Sequence, residues 1–157
     1  MLDRYDICCL ECGYEESFYL GRNMLCSKDR LLDFDSDYPL LNNLISSSRS
    51  VNRIKELINQ KNAEITEYGL ELFFCPKCSS LYGKFNICLK YDGGKYKKQY
   101  KCVKCGADLK KAETITVTDN DGWEKKKVLI KMLACPDCGK KSLMEHEAED
   151  EYVQDVG

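Results

Sequence analysis

Residues 75–105 have the sequence CPKCSSLYGKFNICLKYDGGKYKKQYKCVKC. A Cys-x-x-Cys pair stands at each end, and alternating apolar residues after the first pair lead into Asp92-Gly93-Gly94. Alternation with a period of two predicts a β-strand, and an Asp-Gly-Gly turn predicts that the chain returns as a hairpin. The 23 residues between Cys78 and Cys102 therefore predict a single hairpin that brings two pairs of thiols together.

The same spacing of cysteines occurs four times in the 157 residues. Two intervening residues allow a tight turn to point both sulfurs at one metal ion about 2.3 Å away. Glycine follows three of the pairs, and it permits the positive φ with which the chain leaves such a turn. Four turns supply eight thiolates, enough for two closed tetrahedral sites, so we expect two Zn²⁺ ions per chain. The pairs are Cys9 and Cys12, Cys75 and Cys78, Cys102 and Cys105, and Cys135 and Cys138.

The hairpin assigns four of these cysteines to one site. Two antiparallel strands with a cysteine turn at each end resemble a zinc ribbon, so one ion is assigned to Cys75, Cys78, Cys102 and Cys105. By elimination, the second site is formed by Cys9, Cys12, Cys135 and Cys138. The rival pairing joins the first pair to the second and the third to the fourth. It stays open because sequence does not fix connectivity.

The segments around the terminal pairs resemble the two metal-binding turns of rubredoxins. They are Cys9-Leu10-Glu11-Cys12-Gly13-Tyr14 and Cys135-Pro136-Asp137-Cys138-Gly139-Lys140-Lys141, separated by 122 residues where rubredoxins have one short stretch. The resemblance implies a rubredoxin-like fold at this site and makes iron the alternative metal there. The whole chain also resembles the broad group of uncharacterised bacterial zinc-ribbon proteins, which implies a metal-stapled fold.

A four-cysteine site predicts a structural role for the metal. It leaves no free position for water and therefore offers no hydrolytic catalysis. Short ribbons bury little apolar surface, and structural zinc contributes about 10 kcal/mol or more to their folding. We expect a zinc-binding, non-catalytic binding or adaptor protein. The alternatives are a rubredoxin-like electron-transfer protein and a nucleic-acid-binding zinc ribbon.

Three further cysteines and the one histidine are not expected to be catalytic. Cys8 could replace Cys9 as a ligand, although Cys9 gives the two-residue spacing. Cys26 stands alone, and Cys88 has the opposite parity to its apolar neighbours, which predicts that it lies on the other face of the hairpin. His146 lies among glutamates, so a Cys-His catalytic pair is not favoured.

Helical spacing of apolar residues is confined to residues 39–63. Pro39 precedes a first apolar cluster, a serine run interrupts the pattern, and Ser50 is the predicted N-cap of a second helix. Residues 26–38 are acidic and predict an irregular surface connection. Further along the chain, a second hairpin is predicted with strands at 114–118 and 126–133.

The combined prediction is a small α+β protein, stapled by two zinc-ribbon or rubredoxin-like sites on antiparallel hairpins with an inserted helical segment. Each part corresponds to a stretch of sequence. The rubredoxin-like site comprises 1–25 and 112–145, the helical insertion 39–63, the zinc ribbon 70–111 and an acidic tail 146–157.

Composition and charge indicate the compartment and the kinds of partner that suit this chain. Eleven cysteines without an apparent signal peptide predict a reducing compartment, the cytoplasm. No apolar run approaches the roughly 18 residues of a membrane span. The formal net charge is −2, and two zinc sites of four thiolates would make it −6. This acidity favours a protein partner over nucleic acid, and no small-molecule substrate is evident.

One stretch departs from the overall acidity. Between Lys84 and Lys111, nine lysines stand against Asp92 and Asp108, with tyrosines among them. Lysines could neutralise phosphates while the rings stack on unpaired bases. The candidate nucleic-acid-binding residues are Lys95, Tyr96, Lys97, Lys98, Tyr100 and Lys101. A solvated β surface explains the same pattern more simply, because exposed lysines also discourage edge-to-edge aggregation.

Overall fold

The computed structural model describes residues 2–22, 26–118 and 120–146. The predicted acidic tail 146–157 lies outside these residues apart from the backbone of His146. The described chain contains nine strands, three α-helices and one 3-10 turn. In chain order they are β1 (Leu2–Cys9), β2 (Glu15–Gly21), α1 (Lys28–Leu32), α2 (Leu40–Leu44), α3 (Ser48–Lys61), β3 (Glu64–Phe74), β4 (Leu81–Tyr91), β5 (Gly94–Lys97), β6 (Lys110–Lys111), β7 (Thr114–Thr118), β8 (Glu124–Val128), the 3-10 turn (Ile130–Met132) and β9 (Leu143–His146).

The strands form two sheets. Seven belong to one sheet, in which the order β5-β4-β3-β2-β1-β9 is extended by β6 pairing with β3, and β7 and β8 form the second. The pairs β1–β9, β2–β3, β3–β6, β4–β5 and β7–β8 are antiparallel. The predicted mixed α and β fold with antiparallel strands is therefore confirmed. None of the helices among the described residues combines the length and the apolar character needed to cross a membrane.

The chain divides into two compact units, of which the first comprises Met1–Asp3, Leu20–Glu71 and Lys84–Gln99. It contains all three α-helices, which lie within 28–61. Helix α3 buries one face at helical spacing, and β4 buries Phe85, Ile87 and Leu89 at strand spacing, because these are the periods of the two backbones. Asn86, on the opposite face of β4, is buried as well. The resulting apolar core includes Leu31, Leu41, Val51, Ile54, Leu57, Phe85, Ile87 and Leu89.

Two features of the helical region differ from the sequence prediction. Ser47, rather than Ser50, caps α3: its hydroxyl accepts a hydrogen bond from the Ser50 amide at 3.3 Å. Several serines precede the helix, and their spacing alone does not say which hydroxyl meets an unpaired amide. The supposedly irregular stretch 26–38 contains α1, and its Leu31 is only 1% exposed in the core. A single buried leucine among acidic residues leaves no periodic pattern to detect.

The second unit comprises Arg4–Tyr19, Leu72–Gly83 and Tyr100–Gly157. One of its buried clusters contains Phe73, Cys75, Cys102 and Leu109, so cysteines make up half of it. At the end of β3, strand alternation from the buried Leu72 would bury Phe74, but Phe73 is the buried residue, at 2% exposed. Phe73 faces this cluster, where its ring meets the edge of Tyr100.

Two predicted strands are shorter in the structure. The predicted hairpin requires a return strand that runs from the Asp92-Gly93-Gly94 turn to the third cysteine pair, but β5 ends at Lys97. Tyr100 and Lys101 pair instead with residues beyond the third cysteine pair, since Tyr100 accepts from the Leu109 amide at 2.9 Å and Lys101 bridges to Asp108. In the second hairpin, β8 starts at Glu124, opposite Thr118, and residues 130–132 form a 3-10 turn rather than strand.

Candidate metal centres

The eight cysteines of the four Cys-x-x-Cys pairs form two clusters in the second unit. Within each cluster, four sulfurs lie within 4.8 Å of one another. This is the grouping that the sequence favours; the rival pairing is not the one that the structure contains. The terminal cluster consists of Cys9, Cys12, Cys135 and Cys138, and the central cluster consists of Cys75, Cys78, Cys102 and Cys105.

The distances between sulfurs suit a tetrahedral metal ion. In the terminal cluster, they are 3.7 Å from Cys9 to Cys138 and 3.6 Å from Cys12 to Cys135. A disulfide bond would require about 2.05 Å, and all eleven cysteines are free. Four sulfurs about 2.3 Å from one ion are separated by about 3.8 Å, close to the observed values. The central cluster is slightly tighter, with distances of 3.3 Å for Cys75–Cys105 and 3.5 Å for Cys78–Cys102.

All four pairs adopt the same backbone turn, here called a knuckle. In the first knuckle, the Cys9 amide donates to the Tyr14 carbonyl at 2.8 Å, and the Gly13 amide donates to the Cys9 carbonyl at 3.1 Å. The same two bonds recur, at the same spacing, in the other three knuckles. The residue after each pair has a positive φ, which turns the chain out of the knuckle. The values are 80° at Gly13, 66° at Ser79, 76° at Gly106 and 75° at Gly139.

Backbone amides inside the knuckles point at the sulfurs. The Cys78 amide lies 3.4 Å from Cys75 Sγ, and the Asp137 amide lies 3.4 Å from Cys135 Sγ. Hydrogen bonds of this kind favour the thiolate over the thiol, because they place positive charge beside the sulfur. At Cys75 the Cys78 amide lowers the pKa of the thiol, which favours the thiolate that binds metal.

Three side-chain hydroxyls complete the surroundings of the sulfurs. Ser142 Oγ lies 3.1 Å from Cys9 Sγ, Ser80 Oγ lies 3.1 Å from Cys78 Sγ, and Tyr82 OH lies 3.3 Å from Cys102 Sγ. The spacing of the cysteines does not predict these three contacts. Ser80 follows its pair closely enough to be a plausible candidate from sequence. Tyr82 contacts the sulfur of a cysteine 20 positions away in the sequence, and Ser142 contacts one that is 133 positions away. No local spacing therefore predicts either contact.

These contacts separate the pKa values of the thiols within each cluster. The hydrogen bond from Ser142 lowers the pKa of Cys9 to about 6, and the one from Tyr82 lowers the pKa of Cys102 to about 6. The Tyr14 amide acts to lower the pKa of Cys12, but desolvation and the neighbouring sulfurs raise it to about 12. Four adjacent sulfurs cannot all carry a negative charge unless a cation lies between them. Metal binding therefore releases protons from the cluster.

Burial differs across each cluster. Cys9 and Cys135 are buried while Cys12 and Cys138 are exposed, and in the central cluster only Cys105 is exposed. Each ion would therefore lie near the surface, held from the buried side. With four sulfur ligands, neither site offers a position at which water or substrate could be activated.

The other three cysteines lie outside both clusters. Cys8 is half-buried and does not replace Cys9. Cys26 packs against the core of the first unit, and burial raises the pKa of its thiol. Cys88 lies on the face of β4 away from the core and donates to the Glu67 carboxylate at 3.7 Å. The backbone of His146 pairs with Asp6 in β1, and the structure does not describe its side chain.

The residues predicted to bind nucleic acid are divided between different surroundings. Lys95 and Lys97 are exposed on β5, whereas Tyr96 between them packs against the core of the first unit. In the second unit, Tyr100 meets Phe73 with ring centroids 5.4 Å apart, and Lys101 pairs with Asp108 at 2.8 Å. Tyr96 and Tyr100 are therefore engaged in packing rather than standing beside the lysines as stacking platforms.

Comparison with family models, curated proteins and solved structures finds no match for this chain. Its function has to be inferred from its own geometry. The two sulfur clusters are the part of that geometry with the most specific chemistry.

Proposed function

We propose that the chain is a zinc-stabilised, non-catalytic binding or adaptor protein with one structural Zn²⁺ in each cluster. The observation that carries this proposal is the pair of closed four-sulfur clusters, with sulfurs within 4.8 Å of one another. Four thiolates in a tetrahedron are the ligand set of structural zinc sites. The zinc-ribbon assignment of 70–111, the rubredoxin-like assignment of 1–25 and 112–145, and a reducing, cytoplasmic setting belong to the same proposal.

The choice of zinc over iron rests on ligand chemistry. Thiolate tetrahedra bind both metals, but Zn²⁺ stands above Fe²⁺ in affinity for a given set of ligands. Both clusters share the same knuckle, with the same two backbone hydrogen bonds, so the same preference applies to both. We therefore expect two equivalents of zinc rather than one zinc and one iron.

The proposed binding role rests on exposed apolar side chains as well as on the closed sulfur clusters. On the β7–β8 hairpin, Trp123 is 74% exposed and Ile115 is 46% exposed. Large apolar and aromatic side chains are enriched where proteins contact each other, and tryptophan is prominent among the residues that dominate such contacts. A protein partner is accordingly part of the proposal, and this hairpin is where we expect it to bind.

Electron transfer by rubredoxin-like iron is the alternative, and one observation favours it. Two of the four ligands of the terminal cluster, Cys12 and Cys138, are exposed, so an ion there would lie close to solvent and to a redox partner. A protein purified with iron in this cluster would be coloured and would bleach on reduction. A colourless protein with zinc in both clusters would exclude this alternative.

The experiment that tests the proposal is elemental analysis of protein purified without chelators. We expect two zinc ions per chain in the wild type and one in Cys75→Ser, because a three-sulfur cluster loses most of its affinity. Cys88→Ser removes a thiol outside both clusters and should retain two. Metal-free wild-type protein, or unchanged metal content and thermal stability in Cys75→Ser, would refute the assignment.

A further inference from the structure

The register of the β4–β5 hairpin gathers lysines on one face of the sheet. Lys90 lies directly opposite Lys95, and Cys88 lies opposite Lys97. Residues opposite each other in an antiparallel pair project from the same face, and alternate residues of one strand share that face. Lys90, Lys95 and Lys97 therefore project together, and we call these three residues the lysine face.

The opposite side of the same hairpin packs inwards. Leu89 lies opposite Tyr96, and both contribute to the apolar core of the first unit. Burial of these two side chains fixes the register, because a slip by one residue would turn the lysines into the core. The three lysines are exposed, so their presentation to solvent is a consequence of core packing.

Positive charge predominates on this face, and the Glu67 carboxylate that also lies there accepts from Asn86 and Cys88. Like charges directly opposite each other destabilise a hairpin, yet Lys90 and Lys95 are such a pair. None of the three lysines forms an ion pair with a residue that the structure describes, whereas Lys101 is paired with Asp108 in the other unit. The ammonium groups of the three lysines are therefore available to an external anion.

Two further lysines extend the positive charge. Lys84 lies on β4, six residues before Lys90 and therefore on the same face by strand parity. Lys98 follows β5, and desolvation together with the charge of Lys84 lowers the pKa of its ammonium group. Within the first unit, five cationic side chains thus lie along one hairpin and its continuation.

We propose that the lysine face binds the phosphodiester backbone of nucleic acid without reading the base sequence. Lysine ammonium groups neutralise phosphates and release counterions, and this term is independent of sequence. The face carries no arginine, the residue that usually reads guanine, and Tyr91 and Tyr96 pack against the core on the opposite side of the hairpin from the lysines. The inference does not depend on the metal sites, because every residue that carries it belongs to the first unit.

Nucleic acid fits this face better than an acidic protein does. Protein interfaces are depleted in lysine and enriched in aromatic residues and arginine. Between residues 84 and 97, all three aromatic residues (Phe85, Tyr91 and Tyr96) pack against the core, so none is left on this face to anchor a protein contact. Phosphate contacts need only exposed cations, and the hairpin presents three of them.

The test measures the affinity of the zinc-loaded chain for two fluorescein-labelled single-stranded oligonucleotides of unrelated sequence across a salt series. We expect both to bind with similar affinity. In the triple variant Lys90→Gln, Lys95→Gln, Lys97→Gln, the slope of log affinity against log salt should flatten by about 2, since each lost phosphate contact removes about 0.7. The lysines are exposed, so the variant should keep its helical circular dichroism and its metal content.

The control variant removes three exposed lysines of the second unit, Lys127→Gln, Lys131→Gln and Lys141→Gln, and should keep the wild-type slope. Equal slopes in the two triple variants would overturn the proposal, because net charge alone would then account for the binding. Failure of the wild type to bind either oligonucleotide would overturn it as well. Anionic phospholipid vesicles and polyglutamate serve as competing probes. A lysine-dependent preference for either of them over the oligonucleotides would assign the face to a membrane or to an acidic protein and reject nucleic acid.

Discussion

The residue that follows each Cys-x-x-Cys pair determines whether the knuckle can close. Gly13, Gly106 and Gly139 have φ between 75° and 80°, a region that side chains with a Cβ enter at a cost. Ser79 takes the same position in the second knuckle with φ of 66°. The central cluster therefore contains one knuckle with a backbone penalty that the other three avoid.

Substitution at this position should change stability through the backbone alone. A Cβ on Gly106 would meet no atom within 4 Å, so Gly106→Ala should lower the free energy of unfolding by about 1–2 kcal/mol, the cost of the left-handed conformation. Ser79→Gly relieves that cost and should be stabilising by up to about 1 kcal/mol after the added flexibility of the unfolded chain. Urea unfolding at saturating zinc measures both.

Gly83→Ala is the matched control for these two changes. Gly83 does not have a positive φ, and a Cβ there would lie 3.6 Å from Phe18, an ordinary contact. We expect this variant to unfold at the same urea concentration as the wild type or a slightly higher one. If Gly106→Ala were as stable as Gly83→Ala, positive φ would not be what the knuckle requires.

The hydroxyls beside the sulfurs give each cluster its own test. Ser142→Ala removes the donor to Cys9, and Tyr82→Phe removes the donor to Cys102. Partners of metal ligands typically contribute 10- to 100-fold to metal affinity, so we expect about that loss at the affected cluster only. Competition with a chromogenic chelator, which resolves two successive releases of zinc, measures it.

Each of these hydroxyl variants is the control for the other, because the two clusters share no ligand. Ser142→Ala should release one zinc ion at a lower chelator concentration and leave the release of the other unchanged. Tyr82→Phe should do the same for the second ion. If either variant released both zinc ions at a lower chelator concentration, the hydroxyl would act on the stability of the whole unit rather than on its own cluster.

At the scale of secondary structure, the start of α3 depends on one serine. The Ser47 hydroxyl accepts from the Ser50 amide, one of the amides that a helix leaves without an intrahelical partner. Ser47→Ala should therefore cost about 1 kcal/mol of stability. Ser50→Ala keeps that amide and places a better helix former inside α3, so it should change stability by less than about 0.5 kcal/mol. Thermal unfolding followed at 222 nm distinguishes the two, and the reverse ranking would assign the cap to Ser50.

Helices, strands and turns could be predicted where a local sequence pattern specifies them. The alternation of Phe85, Ile87 and Leu89 is set by the strand period, and all three are buried as the pattern predicts. The cysteine spacing likewise predicted four turns, because the ligands of each turn are three residues apart. Leu31 and Phe73 were missed because tertiary packing places them in their clusters, without a repeating pattern around them.

The side chains around the metal clusters and the positions of the tyrosines also could not be predicted from local sequence. The contact between Tyr82 and Cys102 joins positions 20 apart, and it exists only because two knuckles converge on one cluster. Tyr96 was predicted to stand beside the lysines, but strand parity and the core place it on the other face. Sequence therefore identified the chemistry of the cysteines and lysines, whereas the fold determined which side chains surround them.

For the whole molecule, the two units differ in what stabilises them. The core of the first unit is built from aliphatic and aromatic residues such as Ile54, Leu57 and Ile87, and Cys26 is the one cysteine packed against it. All eight cluster cysteines belong to the second unit, where the terminal cluster joins positions more than 120 residues apart. A structural zinc ion contributes about 10–16 kcal/mol to the folding of a domain that depends on it.

Removal of zinc should therefore affect the units unequally. We expect that a chelator abolishes the hydrogen-exchange protection of β9 and of the fourth knuckle, within 135–146, while α3 at 48–61 keeps most of its own. All three α-helices lie in the first unit, so helical circular dichroism should persist and return little changed when zinc is restored. Hydrogen exchange read by mass spectrometry provides the comparison. If α3 lost its protection together with 135–146, the chain would fold as one metal-dependent unit, and the apolar core of the first unit would be insufficient to hold it folded. Retained protection in both regions would instead show that the sulfur clusters are dispensable for the fold.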